Sequence, residues 1–416
     1  MLSDDVIDRL IQPIVDRQES INIYVIQTIA KRIKQIGKLL PSDAYKLQQL
    51  LKQGGDVRKI NEALAQLTNS QVKDIKKLIR VVAENGYADL KPYYDYRQMP
   101  YIPFEENKEL QRVVNAIANK TADTYVNMSK AQAFMIRDLK NPTVLKPTSI
   151  SKTYYSAIDE AVQNVQAGTT DFNSAMKRTV NQLVDSGIRR VEYNTESGRR
   201  YTQRLDTAVR RNLIDGVRQI NQGVQDEVGK EFGSDGKELS VHADSAPDHE
   251  PIQGRQFTNE EYDKLNNEQA FDSYPCEGQQ AKHFAAIKRA IGTLNCRHFA
   301  FAIILDVMDP NYTDKQLDEM EAENKKGYTL PDGTHLTRYE VTQHMRKLET
   351  ELRYAKESQI AFKAAGNMKM ATKSQIKVNN LISEYDALCK DAKMRPKWER
   401  TNVSGYVPLK KDEYLY

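Results

Sequence analysis

Apolar residues recur at three- and four-residue steps over most of this chain, and that spacing predicts helices before anything else. Val25, Ile29, Ile33, Ile36 and Leu40 share one helix face, and Pro41-Ser42-Asp43 ends that helix and offers an N-cap to the next. Val57, Ile60, Leu64 and Leu67 mark a third, short helix, and Val72, Ile75, Leu78, Ile79 and Val82 a fourth. Gly54-Gly55 and Asn85-Gly86 supply the breaks. Short amphipathic helices of this kind are stable only when packed on one another or on a partner. The pattern resumes from Leu110 to Leu139. Asn141-Pro142 and Lys146-Pro147 then mark a loop, and Thr148 to Asp185 reads as two helices parted by Gly168. Three more helices are predicted at Asp314 to Asn324, Arg338 to Ala365 and Met370 to Lys390.

Two stretches break the helical texture. Leu90 to Glu105 is rich in Tyr and Pro, and reads either as an ordered connector packed on the helices or as an adhesive surface for a neighbouring subunit. After Gly229 a turn at Gly233-Ser234-Asp235-Gly236 leads into a short strand at Glu238 to Val241. Phe299 to Leu305 is apolar and partly β-branched, as a buried strand would be. The polar C-terminal stretch, Lys393 to Tyr416, is expected to extend along another surface. The predicted fold is mainly α and multidomain, with helical bundles flanking a small α+β module. Its divisions fall at 1–105, 106–232 (carrying an Arg-rich helix), 233–310 and 311–416.

With 39% hydrophobic and 28% charged residues among 416, the chain lies within the soluble globular range. No apolar run approaches the roughly eighteen residues of a membrane span, and Met1-Leu2-Ser3-Asp4-Asp5 is unlike a signal peptide. Folding in a cytoplasm is expected, and three cysteines (276, 296 and 389) cannot close a disulfide framework. A net charge of +4 excludes a polycation, but the distribution is uneven. Between Arg189 and Arg218 eight arginines face four acids, and Ser358 to Ser383 holds Lys363, Lys369, Lys373 and Lys377 without any acid. Arg199, Arg200, Arg204, Arg210, Arg211 and these four lysines are the candidate contacts for DNA or an acidic partner; a solvated helix face is the alternative.

Ser240 to Val307 gathers four of the six histidines and two of the three cysteines. His242, His249, Cys276, Cys296 and His298 are residue types that zinc accepts. Without a Cys-x2-Cys pair, a structural cluster of mutually hydrogen-bonded side chains is the favoured description and a zinc site the alternative. Asp244, Ser245 and His249 are triad residue types with no Gly-x-Ser-x-Gly elbow, and there is no phosphate-binding glycine loop.

The order of these residues resembles the type 2 minor capsid proteins of tailed bacteriophages. The resemblance lies in His242, Ala246-Pro247-Asp248-His249, Gln253-Gly254-Arg255 and the closing Asn295-Cys296-Arg297-His298. It continues upstream in Gly198-Arg199-Arg200-Tyr201 and Arg204 to Arg211, and downstream in Tyr328-Thr329-Leu330, Arg346 to Glu349 and Arg353. Ile252 stands where that family usually carries Trp, and Asp248 where it carries Ser. The resemblance implies a structural, non-enzymatic component of the virion head, made in the host cytoplasm and present in several copies. Its implied place is near the portal vertex or the capsid interior, assisting head assembly or DNA packaging. The implied partners are the portal protein, the major capsid protein and packaged DNA, with no membrane and no required cofactor. A metal-dependent nuclease- or transferase-like domain carried in a virion protein is the alternative.

Overall fold

The computed structural model describes residues 3–137, 141, 143–167, 172–193, 200–265, 291 and 296–415. It opens with α1 (Asp4–Ile36), α2 (Pro41–Lys52) and α3 (Gly55–Ala88). The two short helices expected between Val57 and Val82 are therefore one. The Thr68 and Ser70 hydroxyls turn back onto the carbonyls of Leu64 and Leu67, and buried Gln71 donates to the Ile14 carbonyl at 3.0 Å. Polar residues that could have ended the helix are satisfied within it or against α1. A short α4 (Lys91–Tyr96) and α5 (Lys108–Lys130) follow. The helix expected to reach Leu139 stops at Lys130, and Gln132–Arg137 forms β1, paired antiparallel with β2 (Leu145–Thr148). Next come α6 (Ile150–Gln166), α7 (Phe172–Ser186), β3 (Arg189–Tyr193), β4 (Arg200–Arg204) and α8 (Leu205–Phe232). β5 (Gly236–Leu239), β6 (Gln256–Thr258), α9 (Asn259–Leu265) and β7 (Ala300–Ile303) build the small module. The chain continues through α10 (Asp314–Lys326), β8 (Tyr328–Thr329), β9 (His335–Leu336), α11 (Arg338–Ala365) and α12 (Met368–Asp391). The mainly α, multidomain expectation holds, and no helix among the described residues is long and apolar enough to cross a membrane.

Two compact units emerge, each assembled from three separate segments. The first takes Met1–Ile11, Lys73–Thr124 and Arg211–His344; the second takes Gln12–Val72, Tyr125–Arg210 and Met345–Tyr416. Helices α1, α3, α5, α8 and α11 each contribute residues to both.

In the second unit the sheet order is β2-β1-β3-β4, every pairing antiparallel. Ser149 caps α6 by accepting from the Lys152 amide, and Tyr154 on α6 donates to Asp56, which also pairs with Arg32. The C-terminal stretch departs from expectation by folding back on its own unit. Val403 packs with Ile23 and Ile360, and the Lys356 ammonium donates to the Thr401 carbonyl at 2.8 Å.

In the first unit the Tyr-rich connector turns inward. Tyr87 stacks on Tyr101 at 4.9 Å, Tyr94 meets both edge-on, and the Tyr94 hydroxyl donates to Glu231. Tyr93 and Tyr96 remain exposed. Gly216 and Gly223 let α8 approach α5 closely: a Cβ at Gly216 would stand 2.6 Å from Thr121 Oγ1, and one at Gly223 2.9 Å from Val113 Cγ1. The module's sheet runs β6-β5-β7, antiparallel throughout. α8 covers the β7 edge with polar side chains. Gln222 accepts from the Ala300 amide at 2.8 Å and donates to its carbonyl, while Gln225 accepts from the Ala302 amide. An otherwise open edge strand is thereby satisfied.

Candidate functional site

The loop between β5 and β6 carries His249 and Gln253, and the approach to β7 carries Cys296 and His298. Antiparallel pairing of β5 with both β6 and β7 brings the two segments together although some fifty residues separate them. The loop is fixed by a turn in which the His249 amide donates to Ala246, and the Gln253 amide to His249. Gly254 follows at φ +69°, where a Cβ would also collide with Leu317 and Val241, so the Gln-Gly step requires glycine. Ile252 enters the apolar cluster of Leu239, Phe257, Tyr262, Ile291, Cys296 and Ala300.

Three side chains converge beneath this cluster. Cys296 Sγ lies 3.2 Å from His249 Nδ1 and 3.5 Å from His298 Nδ1, and all three residues are buried. Gln253 Oε1 accepts from the His242 amide at 2.9 Å and lies 3.2 Å from His298 Nε2. An amide oxygen can only accept, so His298 carries its proton on Nε2 and turns the lone pair of Nδ1 toward sulfur. On His249 the pattern repeats: an Asp248 carboxylate oxygen stands 3.8 Å from Nε2, too far for a full hydrogen bond but enough to favour a proton there. Burial pushes His298 down to about 4, only partly offset by its bond to Cys296, so its imidazole is neutral near pH 7.

His242 belongs to the surroundings of this group. Its ring meets that of His298 edge-on at 4.6 Å, while its nitrogens face Ser240 at 3.4 Å and Asp4 at 3.6 Å. Cys276 lies outside the described residues. Arg297, between Cys296 and His298, pairs with Asp8 at 2.8 Å and Asp4 at 3.1 Å, and Arg218 donates to the His298 carbonyl. The triad types are not assembled: Ser245 Oγ donates to the Ala246 carbonyl, and Asp244 accepts from Arg338.

The Arg-rich stretch is a correction to the expectation of an outward basic helix. Arg204 closes β4, is 5% exposed, pairs with Glu357 and Asp206, and lies over the Tyr354 ring. Arg353 binds the other Asp206 oxygen. Burial works against these charges, but their partners prevail, raising Arg204 and holding Asp206 well below the usual carboxylate range. The physical reason is register: β4 ends and α8 begins at this point, so the side chains at 204 and 206 both enter the second unit's interior. Arg204 is therefore not available to DNA. Arg210 is half-buried and donates to Gln12, and Arg211 is half-buried on α8. Arg199 lies outside the described residues, and Arg200 is described only as backbone in β4. Lys363, Lys369, Lys373 and Lys377 are all exposed. Sequence reasoning counted Asp206 among the acids of the stretch but missed the partner Glu357. A surplus of arginine over acid within one stretch was the available signal, because Glu357, like Arg353, lies far away in the chain.

The described residues form a helical scaffold that carries a small α+β module centred on His249, Cys296 and His298. The family model for phage minor capsid protein 2 matches residues 2–388, and the chain belongs to that family. Neither a curated protein nor a solved structure matches it.

Proposed function

We propose that this minor capsid protein is a structural component of the virion head, seated near the portal vertex or on the capsid interior. There it assists head assembly or the packaging and passage of DNA, in several copies that touch the portal protein, the major capsid protein or both. The observation that carries the reading is the lysine row of α12. Lys369, Lys373 and Lys377 follow one another at i, i+4 and i+8, about 6 Å apart along the helix axis, in a stretch of sequence with no acid from Ser358 to Ser383. A row of exposed ammonium groups is suited to a phosphate backbone and requires no base contact. Cross-linking mass spectrometry on purified DNA-filled heads tests the placement. Cross-links to portal or inner capsid residues are expected; cross-links confined to tail proteins or to the outer capsid surface would overturn it.

A further inference from the structure

We propose that His249 Nδ1, Cys296 Sγ and His298 Nδ1 bind a zinc ion that locks the α+β module. The three ligand atoms lie within 4.8 Å of one another and are buried. Tetrahedral zinc, with Zn–S of ~2.3 Å and Zn–N of ~2.0–2.1 Å, places sulfur and nitrogen about 3.6 Å apart. The observed separations of 3.2 and 3.5 Å need little adjustment.

Gln253 fixes the proton of His298 on Nε2, and Asp248 favours the same tautomer in His249, so two imidazole lone pairs are aimed at one sulfur. A thiol has a single proton and satisfies only one of them; the other meets a sulfur lone pair in a dry site. A dication bound to all three removes this conflict, and its binding releases the Cys296 proton to solvent. Gln253 and Asp248 are then the outer partners that orient ligating histidines, an arrangement metal sites use repeatedly. Three protein ligands leave one position of a tetrahedron for a water or another side chain. The two ligand-bearing segments are held by β5 and β7, so the ion would close a loop of some fifty residues and offset its conformational entropy.

The experiment uses the full-length chain purified without chelator. Elemental analysis should find about one zinc per chain, and stripping it with a strong chelator should lower Tm, with recovery on adding zinc alone. Cobalt substituted for zinc should show a sulfur-to-metal charge-transfer band that is absent from Cys296→Ser. Gln253→Ala should weaken zinc binding by roughly 10–100-fold, whereas the exposed His335→Ala should leave it unchanged. Wild-type protein that holds no zinc after incubation and gel filtration, and whose Tm ignores both chelator and zinc, overturns the proposal. So does a His298→Ala variant that loses stability while the wild type is metal-free, because the group is then a hydrogen-bonded cluster only. These readouts need no virion, so they stand or fall separately from the placement in the head.

Discussion

Charge balance at single residues explains most of what the Arg-rich stretch does. Arg204 and Arg353 neutralise Asp206 and Glu357 in the second unit's interior, and Glu19 is the acid left over. Burial pushes its carboxyl from an ordinary value of 4.5 up to about 8, with Glu357 and Asp206 adding to the rise and the Ser404 amide and Arg204 opposing it. One Glu19 oxygen accepts from Ser404 at 3.0 Å, and the other is buried without a hydrogen-bond partner among the described residues. Because the folded chain keeps a proton that the unfolded chain gives up above about 4.5, the contribution is complete below that pH and is lost as pH rises toward about 8. Glu19→Gln imitates the neutral acid. It should leave Tm nearly unchanged at pH 5 and raise stability at pH 8 by roughly 2–4 kcal/mol. Equal pH slopes in the two proteins would show that Glu19 is ionised after all. Little of this was legible locally, since residues 19, 353 and 357 reach Arg204 and Asp206 only through the fold. The His/Cys group was more legible: its residue types are rare in this chain, and concentration within one segment singled them out. Which nitrogen faces the sulfur depended on Gln253 and Asp248, which composition does not distinguish from surface polar residues.

Among elements, the long helices were readable because an apolar stripe repeats over many turns. α11 and α12 fall within two residues of the spans expected from periodicity. β1, β3 and β4 were missed because they are short, so six or fewer residues of strand pattern compete with adjoining helical patterns. The edge covering of β7 was also invisible, since it depends on Gln222 and Gln225 standing on the α8 face that meets the strand. Gln222 serves the Ala300 amide and carbonyl together, and also accepts from the Tyr262 hydroxyl. Gln222→Leu keeps much of the volume but abandons these groups in a buried place, which should cost about 1–3 kcal/mol. Hydrogen exchange should quicken at the Ala300 amide while the Ala302 amide, which Gln225 serves, and α12 stay protected. Unchanged protection at Ala300 would mean that solvent or another group already serves that edge.

At the scale of the whole molecule, a net charge of +4 understates how selectively charge is offered to a partner. Arg204, Arg218 and Arg353 are engaged inside the two units with Glu357, the His298 carbonyl and Asp206, so they add little to an outward field. The lysines of α12 are exposed, and Lys363 nearby has Glu413 at 3.5 Å, which leaves Lys369, Lys373 and Lys377 as the more promising phosphate-binding groups. Attraction of this kind is sequence-independent and shows itself in salt dependence, because each neutralised phosphate releases condensed counterions. For the purified chain on duplex DNA, replacing the three lysines with alanine should weaken binding alike on unrelated sequences. The slope of log K against log salt should become shallower by ~0.9 for each phosphate no longer neutralised, or by up to about 3 in all. The same substitutions face outward and should leave Tm within about a degree, because surface changes of this type move stability little. A slope unchanged by the triple substitution would reduce the lysine row to a solvated helix face and place any binding of packaged DNA elsewhere on the chain.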